Sequence, residues 1–486
     1  MDTTLADPQT EPSAPATRVR AVEGGQEHRL RAEGGAASLL RSPLGAVVAR
    51  PWFDRFATWL LARWFFPLSR LWAAARSAEG SVERFYEAVP LAPIPAKRSR
   101  LMKALAKFET ARASVNALEA EWRRVFFGDE EVGGDYLVAV ESARRDRRTA
   151  YNATRRHFLF LARRKGVPPI HFDVPTPEAV EAIHGPYVAD PKAAFTPPDP
   201  MPPVAVSRRV PAHVGSQYWL RFPSPSERTN DIVYVRVHEP EGVENPPTLI
   251  FGHGICVEFD HWHGLIDEVE AMCALGIRVV RPEAPWHGRR VLPGQFGGEQ
   301  LIGTSPLGML DMFTAALREW SVLMDWCRRT TTGPVAMGGS SLGALITQLA
   351  AGRSRDWPTH LQPDALFLIT HCGKHEDAAL RGRLAHIWGI AAAAEAKGWT
   401  TELMSRYHTL LDPTGEPAVA PENIVTVLGR RDNVTPYDSG KAIIDRWRIP
   451  QENRFIWNRG HFSVPLTLMR DHRPLLRFKE ILDRLS

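Results

Sequence analysis

Apolar positions along this chain change their spacing twice, and each change marks a different kind of structure. From Pro51 the segment PWFDRFATWLLARWFFPLSRLWAA places Phe56, Trp59, Leu60, Arg63 and Trp64 at helical spacing, with Pro67 interrupting the run. Leu101, Leu105, Phe108, Val115, Leu118, Trp122 and Val125 mark the stripe of a second helix, and Tyr136 to Lys165 reads as another that ends before Gly166. Residues 45–166 are therefore expected to form a helical N-terminal or cap region. Residues 1–44, rich in Gly, Ala, Pro, Thr, Glu and Arg, hold too little apolar surface to offset ordering entropy and read as a disordered tail. Residues 167–211, with PPDPMPP at 197–203, suit an extended connector, which places a domain boundary there.

Beyond the connector, over residues 212–486, short apolar runs alternate with helical stripes. Tyr218 to Phe222 and Ile232 to Val237 read as strands joined by a polar turn, an antiparallel opening, and Thr248 to Phe251 is the core of a third. Further strands are expected at Ile277 to Arg281, Val335 to Met337, Ala365 to Thr370, Ile424 to Leu428 and Asn453 to Trp457. Helices are expected near Leu265 to Leu275, at Leu310 to Arg328, just after Ser341, and around Lys441 to Arg448 and Leu475 to Leu485. Such alternation predicts an α/β fold with a mostly parallel sheet. Residues 376–414 form an oversized insertion between two strands, of a length that often makes a lid.

Composition narrows the function classes. The chain has 486 residues, 44% hydrophobic and 24% charged, which excludes wholesale disorder and fibrous architectures. The net charge of +5 is unevenly placed: residues 41–165 carry 24 basic and 13 acidic side chains, a local excess of +11. That excess would attract nucleic acid, anionic lipid or an acidic partner, but a solvated helical face explains it more simply. With no recognition motif beside it, no nucleic-acid partner is expected. Four cysteines without a CxxC pair indicate neither a disulfide framework nor a Cys-based metal site, and the N-terminus lacks a secretory pattern, so a cytoplasmic location is expected. Arg55, Arg63 and Arg70 rule out a membrane span in the aromatic segment. Interleaved with Trp52, Trp59, Trp64 and Trp72, they leave two readings: a cap helix packed on the catalytic domain, which is favoured, or an interfacial helix making peripheral membrane contact.

The chemistry is concentrated at strand ends. In Met337-Gly338-Gly339-Ser340-Ser341-Leu342-Gly343-Ala344 a strand passes into a helix, the context of a GxSxG nucleophile elbow. Ser341 alone has glycine at both −2 and +2, because Ser340 is followed at +2 by Leu342. A serine hydroxyl needs a base within hydrogen-bond reach and an acid to orient that base. Asp432 follows the strand IVTVLG and His461 follows the strand RFIWN, in the order Ser, Asp, His. Singly, each has a plain alternative, a loop-capping Asp or a surface His. Three in order at three successive sheet edges make a triad. The strand ending FGHGI supplies a fourth element, with the N–H groups of Ile255 and Leu342 as the expected oxyanion hole.

With the motifs FGHGI, GGSSLG, GRRDNVTP and NRGHF, the chain from about Ser216 to its end resembles the α/β-hydrolase superfamily. The resemblance implies a mostly parallel eight-stranded sheet with an antiparallel first pair, and an acyl-transfer site of Ser341, Asp432 and His461. The block RPEAPWHGRRVLPGQ at 281–295 is also similar to the acid-Pro-aromatic-Gly-x-Arg segment of a little-characterised α/β-hydrolase-domain branch. The helical N-terminal region and the insertion before Asp432 depart from common esterases, so the resemblance does not extend to substrate.

Two further groups of residues carry candidate chemistry. His253, His261, His263, His287, His371 and His375 lie near strand ends, and Asp260-His261-Trp262-His263 could hold a metal, but no set has firm ligand spacing. Pocket lining or backbone hydrogen bonding is expected instead, with His253 as a substrate contact and no metal. Arg289 and Arg290 read either as a clamp for a substrate carboxylate or phosphate, or as a solvated pair. The expectation is a serine hydrolase acting on a small-molecule or lipid carboxylic ester, without a cofactor. The alternatives are a lipid acylhydrolase or thioesterase at a membrane surface, and a non-catalytic scaffold of the same fold. Oligomeric state is not legible.

Overall fold

The computed structural model describes residues 50–162, 166–256 and 268–486. The expected tail at 1–44, and Asp260, His261 and His263, lie outside the described residues.

The N-terminal region is helical as its periodicity requires: α1 (Pro51–Leu60), α2 (Phe66–Ala78), α3 (Arg98–Phe127) and α4 (Gly134–Ala153). Pro67 does interrupt the first run, but only by one turn. It has no N–H to return to the preceding turn, and a π turn at Leu61–Phe65 joins α1 to α2. The stretch 167–211 differs from the extended connector expected of it. It contains α5 (Pro177–Ala189), started by Pro177 at its first position and by a Thr176 hydroxyl that accepts the Ala179 N–H at 3.4 Å. Pro177 stands at a helix start, where its missing N–H costs no hydrogen bond and its fixed φ favours the helix.

Two short strands, β1 (Ala205–Val206) and β2 (Val210–Pro211), close that stretch and pair antiparallel with β3 (Ser216–Pro223). The sheet continues through β4 (Ile232–Glu239), β5 (Thr248–Gly252), β6 (Arg278–Pro282), β7 (Val335–Ser340), β8 (Leu366–Ile369), β9 (Ile424–Gly429) and β10 (Arg454–Trp457). Its order is β1-β3-β4-β6-β5-β7-β8-β9-β10, with β1, β3, β4 and β6 antiparallel in succession and the pairs from β6 onward parallel. The eight main strands are those the apolar runs marked, and the first pair is antiparallel. Crossovers include α6 (Leu307–Thr330) and α7 (Leu342–Arg353), and α8 (Ser463–Leu468) and α9 (Arg473–Leu485) end the chain.

Period-2 alternation divides the strand side chains between two cores. Leu249, Phe251, Val279, Phe367, Ile369, Val425 and Val427 point to one face, where Leu475, Phe478, Ile481 and Leu482 of α9 cover them. Ile250, Val280, Met337, Leu366, Leu368, Ile424 and Leu428 point to the other, where they join a core that runs on into Leu71, Phe85, Leu105 and Phe108. The N-terminal helices thus share a core with the sheet. A third cluster seats Trp122 and Phe126 of α3 against Trp219 on β3, ring centroids 5.2 and 5.1 Å apart. Part of the local basic excess is internal: Arg70 pairs with Glu299 at 2.8 Å, and Arg144 is buried against Glu141 at 2.8 Å. Residues 376–414 form a chain of short helices from Asp377–Arg381 to His408–Leu411.

The register of α9 makes a direct test. Phe478 is fully buried and stacks on Phe367 at 5.0 Å, whereas Leu476 is 48% exposed. Phe478→Ala should cost roughly 3–5 kcal/mol in urea unfolding, and Leu476→Ala within about 0.5 kcal/mol. Equal effects would contradict this register.

Candidate active site

Ser341 follows the last residue of β7 and precedes the first of α7, at φ 55° and ψ −117°. A non-glycine residue in that region is strained and persists only where its surroundings dictate it. Here they do. The Ser341 N–H donates to the Ile369 carbonyl at 2.9 Å, and the Ser341 carbonyl accepts from the Leu345 N–H at 3.1 Å. The flanking glycines are required by contact: a Cβ on Gly343 would lie 2.1 Å from the Gly252 carbonyl oxygen, and one on Gly339 would lie 2.3 Å from the Gly343 carbonyl carbon. The strand-to-helix turn therefore closes tightly enough to push the serine hydroxyl out of the sheet edge.

The other two predicted residues meet it there. His461 Nε2 is 3.0 Å from Ser341 Oγ, and His461 Nδ1 is 2.8 Å from Asp432 Oδ2. Both His461 and Asp432 are buried. The carboxylate is acceptor-only and fixes the tautomer: Nδ1 carries the proton, and Nε2 is left to accept from the serine. Asp432 is itself held by the N–H groups of Val434 and Thr435 on Oδ1, at 2.9 and 3.0 Å, and by the Thr435 hydroxyl, 2.9 Å from Oδ2. Thr435 was not singled out from sequence. Its oxygen is also 3.1 Å from His461 Nδ1 and 3.0 Å from the Thr370 carbonyl, so it braces Asp432 and His461 together. The signal was its place three residues after Asp432 in DNVTP, the spacing of a local side chain to backbone turn.

The loop after β5 lies beside the elbow, where the Gly343 N–H donates to the His253 carbonyl at 2.9 Å. Among the described residues, neither the Ile255 nor the Leu342 N–H donates a backbone hydrogen bond. His253 has a different role from the substrate contact expected of it. Its Nε2 accepts the Ala284 N–H at 3.1 Å, so its Nδ1 is the protonated nitrogen and donates to the Gly254 carbonyl at 2.7 Å. Burial, with the neighbouring His287 next, holds its pKa well below the ordinary imidazole value, which keeps it neutral for that part. His287, 5.0 Å from it ring to ring, accepts the Cys256 N–H at 3.2 Å. The two imidazoles brace the loop that carries Ile255.

Arg289 and Arg290 are neither a clamp nor a solvated pair. All five N–H groups of Arg290 are engaged, with Asp231 and Glu319 carboxylates and the Glu283 carbonyl, at 2.6–2.9 Å. No donor remains for a substrate. Arg289 binds Glu283 at 2.5 Å and Glu119 of α3 at 3.3 Å, and lies over the Trp122 and Tyr234 rings. Glu283 is six residues away, but Glu119, Asp231 and Glu319 come from distant parts of the chain, which local sequence does not reveal. Of the remaining histidines, His371 is internal, between Gln348 at 3.0 Å and Thr426 at 2.6 Å, with burial lowering its pKa to about 3. His375 is buried beside the insertion. Among the described residues no three His, Cys, Asp or Glu side chains gather as a metal site.

Volume alone does not mark the site. A cleft of about 490 Å³, lined by Phe195, Met201, Arg353, Trp357 and His360, lies at the other end of α7, roughly 18 Å of helix from Ser341.

No protein-family model matches the chain, and no curated protein does. Among solved structures it is similar to an acetyl xylan esterase from Paenibacillus sp. R4, at 16% identity over 60% of this chain and 92% of that one, TM-score 0.44. It is similar also to an S-formylglutathione hydrolase from Agrobacterium tumefaciens, at 15% over 58% and 99%, TM-score 0.38. An acylaminoacyl peptidase from Pyrococcus horikoshii matches at 11% over 58% and 47%, TM-score 0.37.

The buried guanidinium gives this region its own test. Arg290→Met leaves Glu319, itself buried, without its countercharge, and should lower unfolding free energy by roughly 3–5 kcal/mol in a urea titration. A loss under about 1 kcal/mol would return Arg290 to the pool of residues free to meet substrate.

Proposed function

We propose that this chain is a serine hydrolase of the α/β-hydrolase superfamily that cleaves a carboxylic ester through an acyl-enzyme. One observation carries the reading: a strained Ser341 whose Oγ lies 3.0 Å from an imidazole that Asp432 holds at 2.8 Å on its far nitrogen. His461 Nε2 takes the Ser341 proton as Oγ attacks the ester carbonyl carbon, and the carbonyl electron pair moves onto oxygen. The Ile255 and Leu342 N–H groups receive that oxyanion. Collapse expels the alcohol oxygen, which takes the proton back from His461. Water then repeats the cycle on the acyl-enzyme, with His461 as base, and releases the acid. Asp432 stabilises the imidazolium formed in each half. No step calls for a metal or cofactor.

The same triad chemistry serves oxygen esters, thioesters and amides, and the leaving group that selects among them meets residues outside the triad. The complete triad weighs against a non-catalytic scaffold. Fluorophosphonate should label the wild type and not Ser341→Ala, and p-nitrophenyl ester turnover should fall at least ~10⁴-fold in that variant. A wild type that does not label would favour the scaffold.

A second reading, a lipid acylhydrolase at a membrane surface, is favoured by the orientation of α1. The buried residues of this helix are Asp54 and Thr58, while Trp52, Phe56, Trp59 and Leu60 are 41–55% exposed. Its apolar face is turned outward, flanked by the exposed Arg50, Arg55 and Arg63, which suits an anionic lipid interface. No described helix is long and apolar enough to cross a membrane. The full chain should float with phosphatidylglycerol vesicles, and the Trp52→Ser, Phe56→Ser, Trp59→Ser triple variant should not. Equal flotation of the two would remove the lipid reading.

A further inference from the structure

The side of α1 that faces inward reaches the catalytic histidine's own turn. Asp54 Oδ1 accepts the Phe462 N–H at 2.7 Å and the Ser463 N–H at 3.3 Å, and Oδ2 accepts the Ser463 hydroxyl at 2.6 Å. The Ser463 oxygen accepts in turn from the Gly460 N–H at 2.9 Å. Gly460, Phe462 and Ser463 enclose His461, so one carboxylate from the N-terminal helix holds both sides of the turn that carries the base. The helix that begins at Ser463 receives no cap from its own sequence; Asp54 supplies it from about 400 residues away. Gly460 fits the same account, because a Cβ there would lie 2.4–2.7 Å from the Asp54 carboxyl atoms.

A carboxylate in this place is expensive unless it is fully hydrogen-bonded, and Asp54 is 9% exposed. Anchoring α1 to the sheet domain would need only apolar contact, which the adjoining α2 already makes through Phe66 and Leu71. Two backbone N–H groups and a hydroxyl converging on Asp54 do what packing does not: they fix the rotation and height of a loop. Half an ångström of drift there changes the 3.0 Å contact on which proton transfer depends.

We infer that Asp54 is a positioning residue for His461, and that the N-terminal helix is consequently part of the catalytic unit. This rests on the serine-hydrolase reading above. Both carboxylate oxygens of Asp54 are engaged by that turn, so its loss should appear in kcat and leave KM nearly unchanged.

The test uses the full-length protein, with fluorophosphonate labelling rates and p-nitrophenyl acetate kinetics taken well below each variant's unfolding temperature. Asp54→Ala should slow labelling and lower kcat by about 10- to 100-fold with KM within twofold, on the scale of a mispositioned catalytic group. Asp54→Asn, whose amide oxygen still accepts the two N–H groups, should recover most of that rate. Ser463→Ala should give an intermediate loss, and adding it to Asp54→Ala should cost little more, since both act through one turn. If Asp54→Ala does not fold, the Asn and Ser463 variants carry the comparison. Labelling and kcat within twofold of wild type in the variants that fold, with only a lower melting temperature, would reduce Asp54 to a structural anchor. An unlabelled wild type would remove the serine-hydrolase reading, and this proposal with it.

Discussion

One backbone conformation organises the rest of this molecule. Ser341 stands where an ordinary L-residue loses about 1–3 kcal/mol, and it stays there because everything around it is already committed. β7 is central, paired with β5 on one side and β8 on the other, so the chain reaches Ser341 at a fixed height. α7 leaves at once, and Gly343 packs on Gly252 so closely that no side chain fits between. The serine is thus offered at the carboxyl edge of the sheet by the sheet's own pairing. Asp432 and His461 sit after β9 and β10, and parallel register carries them to the same edge.

That arrangement explains what was legible in sequence. Glycines at −2 and +2 of Ser341, strand runs of three to six residues and loops that begin at their ends are local features, and they led to the eight main strands and to Ser341, Asp432 and His461. The misread residues fail for a common reason. Arg289 and Arg290 look free because their acids, Glu119, Asp231 and Glu319, are distant in sequence. His253 looks like a substrate contact because the Ala284 N–H it accepts lies beyond another strand. α5 was hidden by prolines whose position at a helix start, not their number, decided the structure. β1 and β2 are too short to show any periodicity.

The helical N-terminal region presents the same lesson on a larger scale. Its composition and charge set it apart, yet its side chains enter the core on one face of the sheet, and Glu119 reaches Arg289 beside the strand-end loops. Burial pushes the Glu119 carboxyl up, but Arg289, Arg144 and Arg148 outweigh it and hold its pKa well below the usual range. Charge that reads as a solvated face along the sequence becomes, in part, an internal network joining that region to the catalytic one. Asp54 extends the union to the turn that carries His461, the base of the proposed mechanism.

In the proposed mechanism Ser341 Oγ, His461 and the N–H groups of Ile255 and Leu342 converge on one reacting carbonyl. A crystal structure of the phosphonylated protein tests it most directly. The account predicts phosphorus bonded to Ser341 Oγ and the phosphonyl oxygen about 2.7–3.1 Å from both N–H nitrogens, with His461 still joined to Asp432. Phosphorus on another residue, or a phosphonyl oxygen turned away from Ile255 and Leu342, would contradict it.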